Sequence, residues 1–287
     1  MPDRVHTGEM TTRATATRHV GCHLTFEVAD GGASIVLQVA GDSRQLVSEQ
    51  LVVSADGRPL EAVEVELDGT VGGRYQLVRA PAGELTVHYE ASAVPNADRQ
   101  PARAGLLDPE TVAHLRPSRY CPSDTLLAFA TAELAHLPEG TERAAAVAGW
   151  VFERIAYDLG ATAPLDGAVE TLLSGRGVCR DFAHLTVALC RALEIPARLA
   201  AVYAPGLSPM DFHAVAEAQV DGEWQVLDAT RLAPRGSLVR IATGRDAADT
   251  AFATTLHGHA ELVGSEVWAV VDGELPADDH VSPMRLS

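Results

Sequence analysis

Hydrophobic positions change their spacing about a third of the way along the chain. Between residues 19 and 93 they alternate or cluster in short runs: CHLTFEVAD, ASIVLQVAG, RQLVSEQLVV, EAVEVELDG, RYQLVRA and ELTVHYEAS. β-Branched and aromatic residues at alternate positions suit pleated strands with one buried face. The segments between them, ADGG, ADGRP, DGTVGG and PAG, hold the glycine, aspartate and proline that tight turns require. The pattern predicts a small all-β sandwich. Residues 93–105, AVPNADRQPARAG, carry two prolines and no apolar period, and read as a linker.

Beyond the linker the period becomes helical. PSDTLLAFATAELAHL offers Ser123 or Asp124 as N-cap and places Leu127, Ala130 and Leu134 on one face. TERAAAVAGWVFERIAYDL repeats the spacing with Val147, Val151 and Ile155, and DGAVETLLSGRG is a short helix stopped by Gly175 and Gly177. In VCRDFAHLTVALCRALEIPARL, the residues Phe182, Leu185, Leu189 and Leu193 form one helical stripe. RLAAVYAP reads as a strand, and residues 213–230 as a hairpin closed by Asp221-Gly222. The C-terminal segment is less regular and ends on PADDHVSPMRLS, which reads as a loose tail. The expected organisation is a mobile arm at 1–17, a β domain at 18–100, a mixed helix-and-sheet core at 106–250 and an extension at 251–287. The β domain is expected to fold apart from the core.

Composition narrows the function classes. Of 287 residues 47% are hydrophobic, enough for a sizeable core. A net charge of −17 argues against a nucleic-acid or anionic-membrane surface, both of which demand a basic face. No run approaches the roughly 18–20 apolar residues of a membrane span. The first residues lack the apolar segment of a secretory signal, so a cytoplasmic protein is expected. Cys22, Cys121, Cys179 and Cys190 lie far apart with no CxxC pair, unlike either structural zinc or a disulfide framework. The HGH at His257 and His259 has no acidic or thiol partner at ligand spacing, so neither metal nor cofactor is expected.

Cys179 is the thiol with a distinctive setting. It follows Gly175 and Gly177 and opens the striped helix, where unsatisfied N–H groups and the helix dipole favour thiolate over thiol. Cys190 sits mid-stripe and reads as a core cysteine. In the register set by Asp221-Gly222, Val215 faces Asp228 and His213 faces Thr230. His213 and Asp228 then share a sheet face as diagonal neighbours, roughly 7–8 Å apart at the backbone. A carboxylate so placed can orient the imidazole and leave its other nitrogen for a nucleophile. Glu217 has the same parity but lies about 13 Å along the strand at 3.3 Å per residue, too far to hold the ring.

GVCRDFAHLTVALCRALEIPARL followed by FHAVAEAQVDGEWQVLDAT resembles the core of the transglutaminase-like superfamily, in particular its bacterial members. The Gly-x-Cys helix start, the Arg-Ala-x-x-Ile-Pro-Ala-Arg stretch, the His-Ala strand and the Trp-x-x-x-Asp strand occur in order, within roughly residues 115–245. RPSRYCPSD and GRDAADTAF resemble segments flanking that core, and the first hundred residues resemble the N-terminal domain of bacterial members. Val215, where many members have Trp, and Glu194, where Gly is usual, depart from the pattern. The resemblance implies an α+β, papain/transglutaminase-like core, with the Cys-bearing helix packed on an antiparallel sheet that bears His and Asp. It also implies Cys179 as nucleophile, His213 as base and Asp228 as orienting acid.

The expected function is cleavage or transfer of an acyl group at an amide, through a thioester. A peptide, protein or small amide would be the substrate, and water or an amine the acceptor. The other class of reading is a catalytically inactive binding or scaffold protein that keeps the fold. The oxyanion donors expected are the Cys179 backbone N–H and an upstream side chain. Trp150 and Tyr157 both precede the cysteine, and Tyr157 is the candidate, with core packing as the competing role for each.

Overall fold

The computed structural model describes residues 16–67, 69–95 and 108–286. The arm expected at 1–17, save its last two residues, lies outside these, as do linker residues 96–105 and the boundary at 106. Strands β1 (Arg18–Leu37), β2 (Leu46–Ala55), β3 (Arg58–Pro59), β4 (Ala62–Leu67), β5 (Gly73–Ala80) and β6 (Gly83–Ala93) come first. Helices α1 (Pro109–Ala113), α2 (Ser123–Leu134), α3 (Thr141–Arg154), α4 (Ala168–Ser174) and α5 (Cys179–Ala192) follow. Two-residue strands β7 (Ala156–Tyr157) and β8 (Arg176–Gly177) lie among them. The chain then runs through β9 (Ala197–Tyr203), β10 (His213–Val220), β11 (Glu223–Leu227), β12 (Val239–Gly244), α6 (Ala247–Thr250) and β13 (Ala253–Val271).

Seven strands form one sheet in the order β3-β2-β6-β1-β5-β4, with β13 along the other edge of β1. CHLTFEVAD and ASIVLQVAG, expected as two strands, are one strand bent at residues 29–32. The first part of β1 pairs with β6 and the last part with β5, while β13 follows both. The bend needs glycine: Gly32 and Gly258 have φ of 79° and 77°, and a Cβ on Gly258 would collide with the Gly32 carbonyl. The sandwich is therefore a single folded sheet, and inward residues from both halves, among them Leu24, Ile35, Val78, Leu85 and Tyr89, share a core.

The segment after residue 250 is more ordered than its pattern suggested. It holds the 19-residue strand β13, and PADDHVSPMRLS is docked rather than loose. Arg235, 2% exposed, donates to Asp278 at 2.7 Å and to Asp279 at 3.3 Å. The Val226 N–H donates to the Met284 carbonyl at 2.8 Å. Two requirements explain the docking: a buried guanidinium needs a carboxylate, and β11 is an edge strand whose backbone groups need partners.

The second sheet is antiparallel, β11-β10-β9-β12. Helix α5 packs on one of its faces, against Ala197, Ala216, Ala218 and Leu227, with buried side chains of α2, α3 and α4 in the same core. Its stripe is wider than expected, because every residue from Asp181 to Ala192 is buried. On α2 the buried residues include Leu126, Ala130 and Leu134, whereas Leu127 is 52% exposed. The hairpin has the expected register, Val220 opposite Glu223 and Ala216 opposite Leu227. Asp221 and Gly222 both have positive φ, as a two-residue turn of this hand requires.

The two sheets meet along a continuous seam. Tyr203 Oη donates to the Val39 carbonyl at 2.7 Å, and the Asp42 N–H to the Arg240 carbonyl at 2.8 Å. Tyr203, Val239 and Ile241 of the second sheet belong to the apolar core of the first. Beside the seam, Glu217 is fully buried. It accepts from Arg198 Nε at 2.8 Å and from Arg240 Nη1 and Nη2 at 2.9 and 2.5 Å.

Two outcomes follow. Glu217→Gln deprives Arg240 of the carboxylate it is bound to and leaves Arg198 only Glu110, at 2.9 Å, so urea titration should show a loss of about 3–5 kcal/mol. A loss under about 1 kcal/mol would contradict this role for the network. A chain starting at Leu106 would lack β1, strip β13 of its partner and uncover Tyr203 and Ile241. It should melt without a cooperative transition in calorimetry, and a sharp transition would show the core to be self-sufficient.

Candidate active site

Local sequence shapes the start of α5. Val178 is extended and Cys179 is the first helical residue. The Val178 N–H donates to Asp181 Oδ2 at 3.0 Å, so a carboxylate in the first turn ties down the residue before the thiol. Gly177 makes room for it, since a Cβ there would lie 2.7 Å from Asp181 Cβ. Arg180 Nη2 donates to Thr162 Oγ1 at 2.6 Å and to the Ala163 carbonyl at 2.9 Å, anchoring the preceding loop. Strands β7 and β8 pair in parallel, Tyr157 beside Gly177. That places Tyr157 next to the cysteine turn.

His213 opens β10 and Asp228 directly follows β11. Both are buried, at 2% and 4% exposure, and His213 Nε2 lies 3.1 Å from Asp228 Oδ2. Asp228 Oδ1 accepts from Thr230 N–H at 2.9 Å and from Thr230 Oγ1 at 2.7 Å. Burial opposes charge on His213, but the Asp228 carboxylate, and after it the Cys179 thiol, raise its pKa to about 10. Burial likewise would raise Asp228. The positive ring and the hydrogen bonds from His213 and Thr230 prevail and hold it below the usual carboxylate range. His213 Nδ1 is buried and has no hydrogen-bond partner among the described residues. Cys179 and His213 line the same cavity of about 460 Å³. The thiol thus lies near enough to influence the ring without a hydrogen bond of normal geometry to Nδ1.

Tyr157 is 39% exposed, and its phenol is raised to about 12 by partial burial and then by the charge of Cys179. The Cys179 backbone N–H pulls the other way, so the hydroxyl lies near both the thiol and its amide. Trp150 stays in the core, edge-on to Phe129 at 5.4 Å. The remaining thiols are buried, and burial pushes Cys22 to about 11 and Cys121 and Cys190 to about 12. His257 and His259 lie in exposed stretches of β13. Among the described residues no three His, Cys, Asp or Glu side chains gather as a metal site, and no helix is long and apolar enough to cross a membrane.

Several contributors were not singled out from the sequence. Thr230 and Asp181 had local signals, a hydroxyl two residues after Asp228 and a carboxylate three residues into a helix. Gln38 and Phe252 also line the cavity, and they come from the first sheet and the approach to β13, where no local pattern announces them. The cavity is therefore not made by the core alone.

Residues 128–229 match the sequence model of the transglutaminase-like superfamily. The crystal structure of a "putative cysteine protease" from Cytophaga hutchinsonii is 32% identical, with a TM-score of 0.82 over 93% of this chain and 96% of that one. An uncharacterized protein of Mycobacterium leprae is 28% identical over 203 residues, 64% of this chain and 71% of that protein. The superfamily match runs through the cysteine helix and ends one residue past Asp228, and the Cytophaga likeness extends over nearly the full length; this chain belongs to the transglutaminase-like superfamily.

Proposed function

We propose that the protein is a cysteine-dependent hydrolase or acyltransferase acting on the amide carbonyl of a peptide, protein or small amide. The buried His213–Asp228 pair carries this reading, because its Nδ1 is left unpartnered in the cavity that Cys179 lines. The name of the Cytophaga relative favours a peptide or protein over a small amide.

In the proposed sequence the Cys179 thiolate attacks the carbonyl carbon, forming a C–S bond and an oxyanion. The Cys179 backbone N–H and the Tyr157 hydroxyl are the donors to that oxygen. As the C–N bond breaks, His213 gives its Nδ1 proton to the departing amine, leaving a thioester. Water then attacks in a hydrolase, or an amine in an acyltransferase, and His213 takes the proton of the attacking group. Asp228 keeps Nε2 occupied and the ring turned so that Nδ1 serves the thiol. These steps use no cofactor or metal. Four unpaired thiols suit a reducing compartment, and the reading places the protein in the cytoplasm.

Iodoacetamide at neutral pH should modify Cys179 well before Cys22, Cys121 and Cys190, which are buried and hold their protons to high pH. Peptide mapping with Cys179 no faster than the others would sink the nucleophile assignment. Incubation with an amide donor, with and without a fluorescent primary amine, then separates hydrolysis from transfer by the mass of the product.

Asp228→Asn should fold but lose activity by about a hundredfold or more, since an amide can offer the ring its donor and favour the wrong tautomer. The same substitution tests the charge on His213. A raised histidine stabilises the fold fully below its ordinary value of 6.5, and that contribution disappears as pH rises through about 10. Wild-type stability should therefore fall across this interval more steeply than that of Asp228→Asn. Parallel slopes in thermal melts against pH would mean that His213 is not held protonated.

A further inference from the structure

The cavity at Cys179 has an apolar interior that the proposed chemistry does not require. Its 460 Å³ lies within the roughly 300–1,000 Å³ of sites that enclose small ligands. Leu199 and Ala201 of β9, Ala214 of β10 and Ile241 of β12 line it from the second sheet. Phe212 and Phe252 form an aromatic wall, stacked at 4.9 Å with 14° between their planes. Of the charged lining residues, Arg180 is bound to Thr162, Ala163 and Asp181, and Asp211 is exposed to solvent.

The wall is held from the first sheet. The Gln38 N–H donates to the Phe252 carbonyl at 2.9 Å. Its side-chain amide, with the nitrogen turned toward two carbonyls, donates to Ala251 at 3.2 Å and Asp249 at 3.1 Å. The Phe252 carbonyl is thus held directly, and the residues just before it through the Gln38 amide, beside Phe212, the neighbour of His213. We propose that this cavity selects acyl donors carrying a large apolar side chain on the acyl side of the reacting carbonyl, with Phe252 as a specificity-determining residue. The inference rests on Cys179 being the nucleophile. A charged side chain reaching the Phe212–Phe252 wall would lose its hydration against rings that offer no countercharge. A small one would leave the aromatic wall unfilled, at about tenfold or more in rate per missing methylene.

A series of dipeptidyl chloromethyl ketones tests this, differing only in whether Gly, Ala, Leu, Phe, Asp or Lys precedes the reactive group. The chloride leaves as the Cys179 sulfur bonds to the methylene carbon, and the adduct mass on the intact protein gives the rate. Leu and Phe should outpace Gly, Asp and Lys by at least about tenfold. Phe252→Ala should reduce that ratio to about threefold or less, with iodoacetamide alkylation of Cys179 unchanged, whereas Phe252→Leu should keep most of it. A flat series in the wild type, beside normal iodoacetamide alkylation, overturns the selectivity alone; so does a preference that survives Phe252→Ala. Slow iodoacetamide alkylation of Cys179 overturns the nucleophile and the selectivity together.

Discussion

The His213 ring is buried, and it can hold a charge only while the Asp228 carboxylate lies against it, a contact that the second sheet provides. Without the carboxylate, burial would drive the ring neutral; without the ring, Asp228 would be a buried carboxylate held by Thr230 alone. The pair forms because Asp221-Gly222 sets one hairpin register, which puts His213 and Asp228 on the same face at the open end of the strands. Thr230 then occupies the second carboxylate oxygen with two hydrogen bonds, so only Oδ2 is left for the ring. Holding Nε2 in this way leaves Nδ1 for whatever enters the cavity.

The same logic extends along α5, a helix buried on every side that nevertheless carries polar residues. Arg191 donates to the carbonyls of Ala197 and Arg245 at 2.9 and 2.7 Å and to that of Arg116 at 3.1 Å. His184 stacks on Tyr120 at 5.1 Å and accepts the Ala247 N–H at 3.1 Å. Burial drives its pKa down to about 3, so the ring stays neutral and can accept. These contacts explain why RPSRYCPSD and GRDAADTAF accompany the cysteine helix: both segments are bound to α5 by its buried arginine and histidine, and Tyr120, Ala247 and Thr250 from them line the cavity. The flanks are parts of the site.

What could be read from sequence was what is decided locally. Turn chemistry fixes a hairpin register, so the placement of His213 and Asp228 followed from Asp221-Gly222 alone. A glycine–cysteine step before a periodic run marks a helix start, and Cys179 is the first helical residue. On α2 the stripe was read from Leu127 when Leu126 is the buried one, because adjacent leucines give the period no way to choose. Long-range pairing was less visible. Nothing in ADGG distinguishes a hairpin turn from a bend in one long strand until β13 arrives from more than two hundred residues away to pair with both halves. Glu217 could be judged too distant to hold the ring, but not recognised as the shared partner of Arg198 on β9 and Arg240 on β12.

In the proposed function, this division between local and distant contacts separates chemistry from selectivity. Cys179, His213 and Asp228 all fall within the stretch shared with the superfamily at large, residues 128–229. Gln38, Ile241 and Phe252 fall outside it: Ile241 reaches the cavity on β12, and Gln38 and Phe252 reach it from the other side of the seam. On that reading, a change in the aromatic wall alters which acyl group fits without moving the hairpin that holds the imidazole. A change in the hairpin register would displace His213 and Asp228 together, whatever the wall. On the same reading, relatives that keep the cysteine helix and the hairpin are free to differ in substrate, and the place to look for that difference is the contact between the first sheet and the residues just before β13.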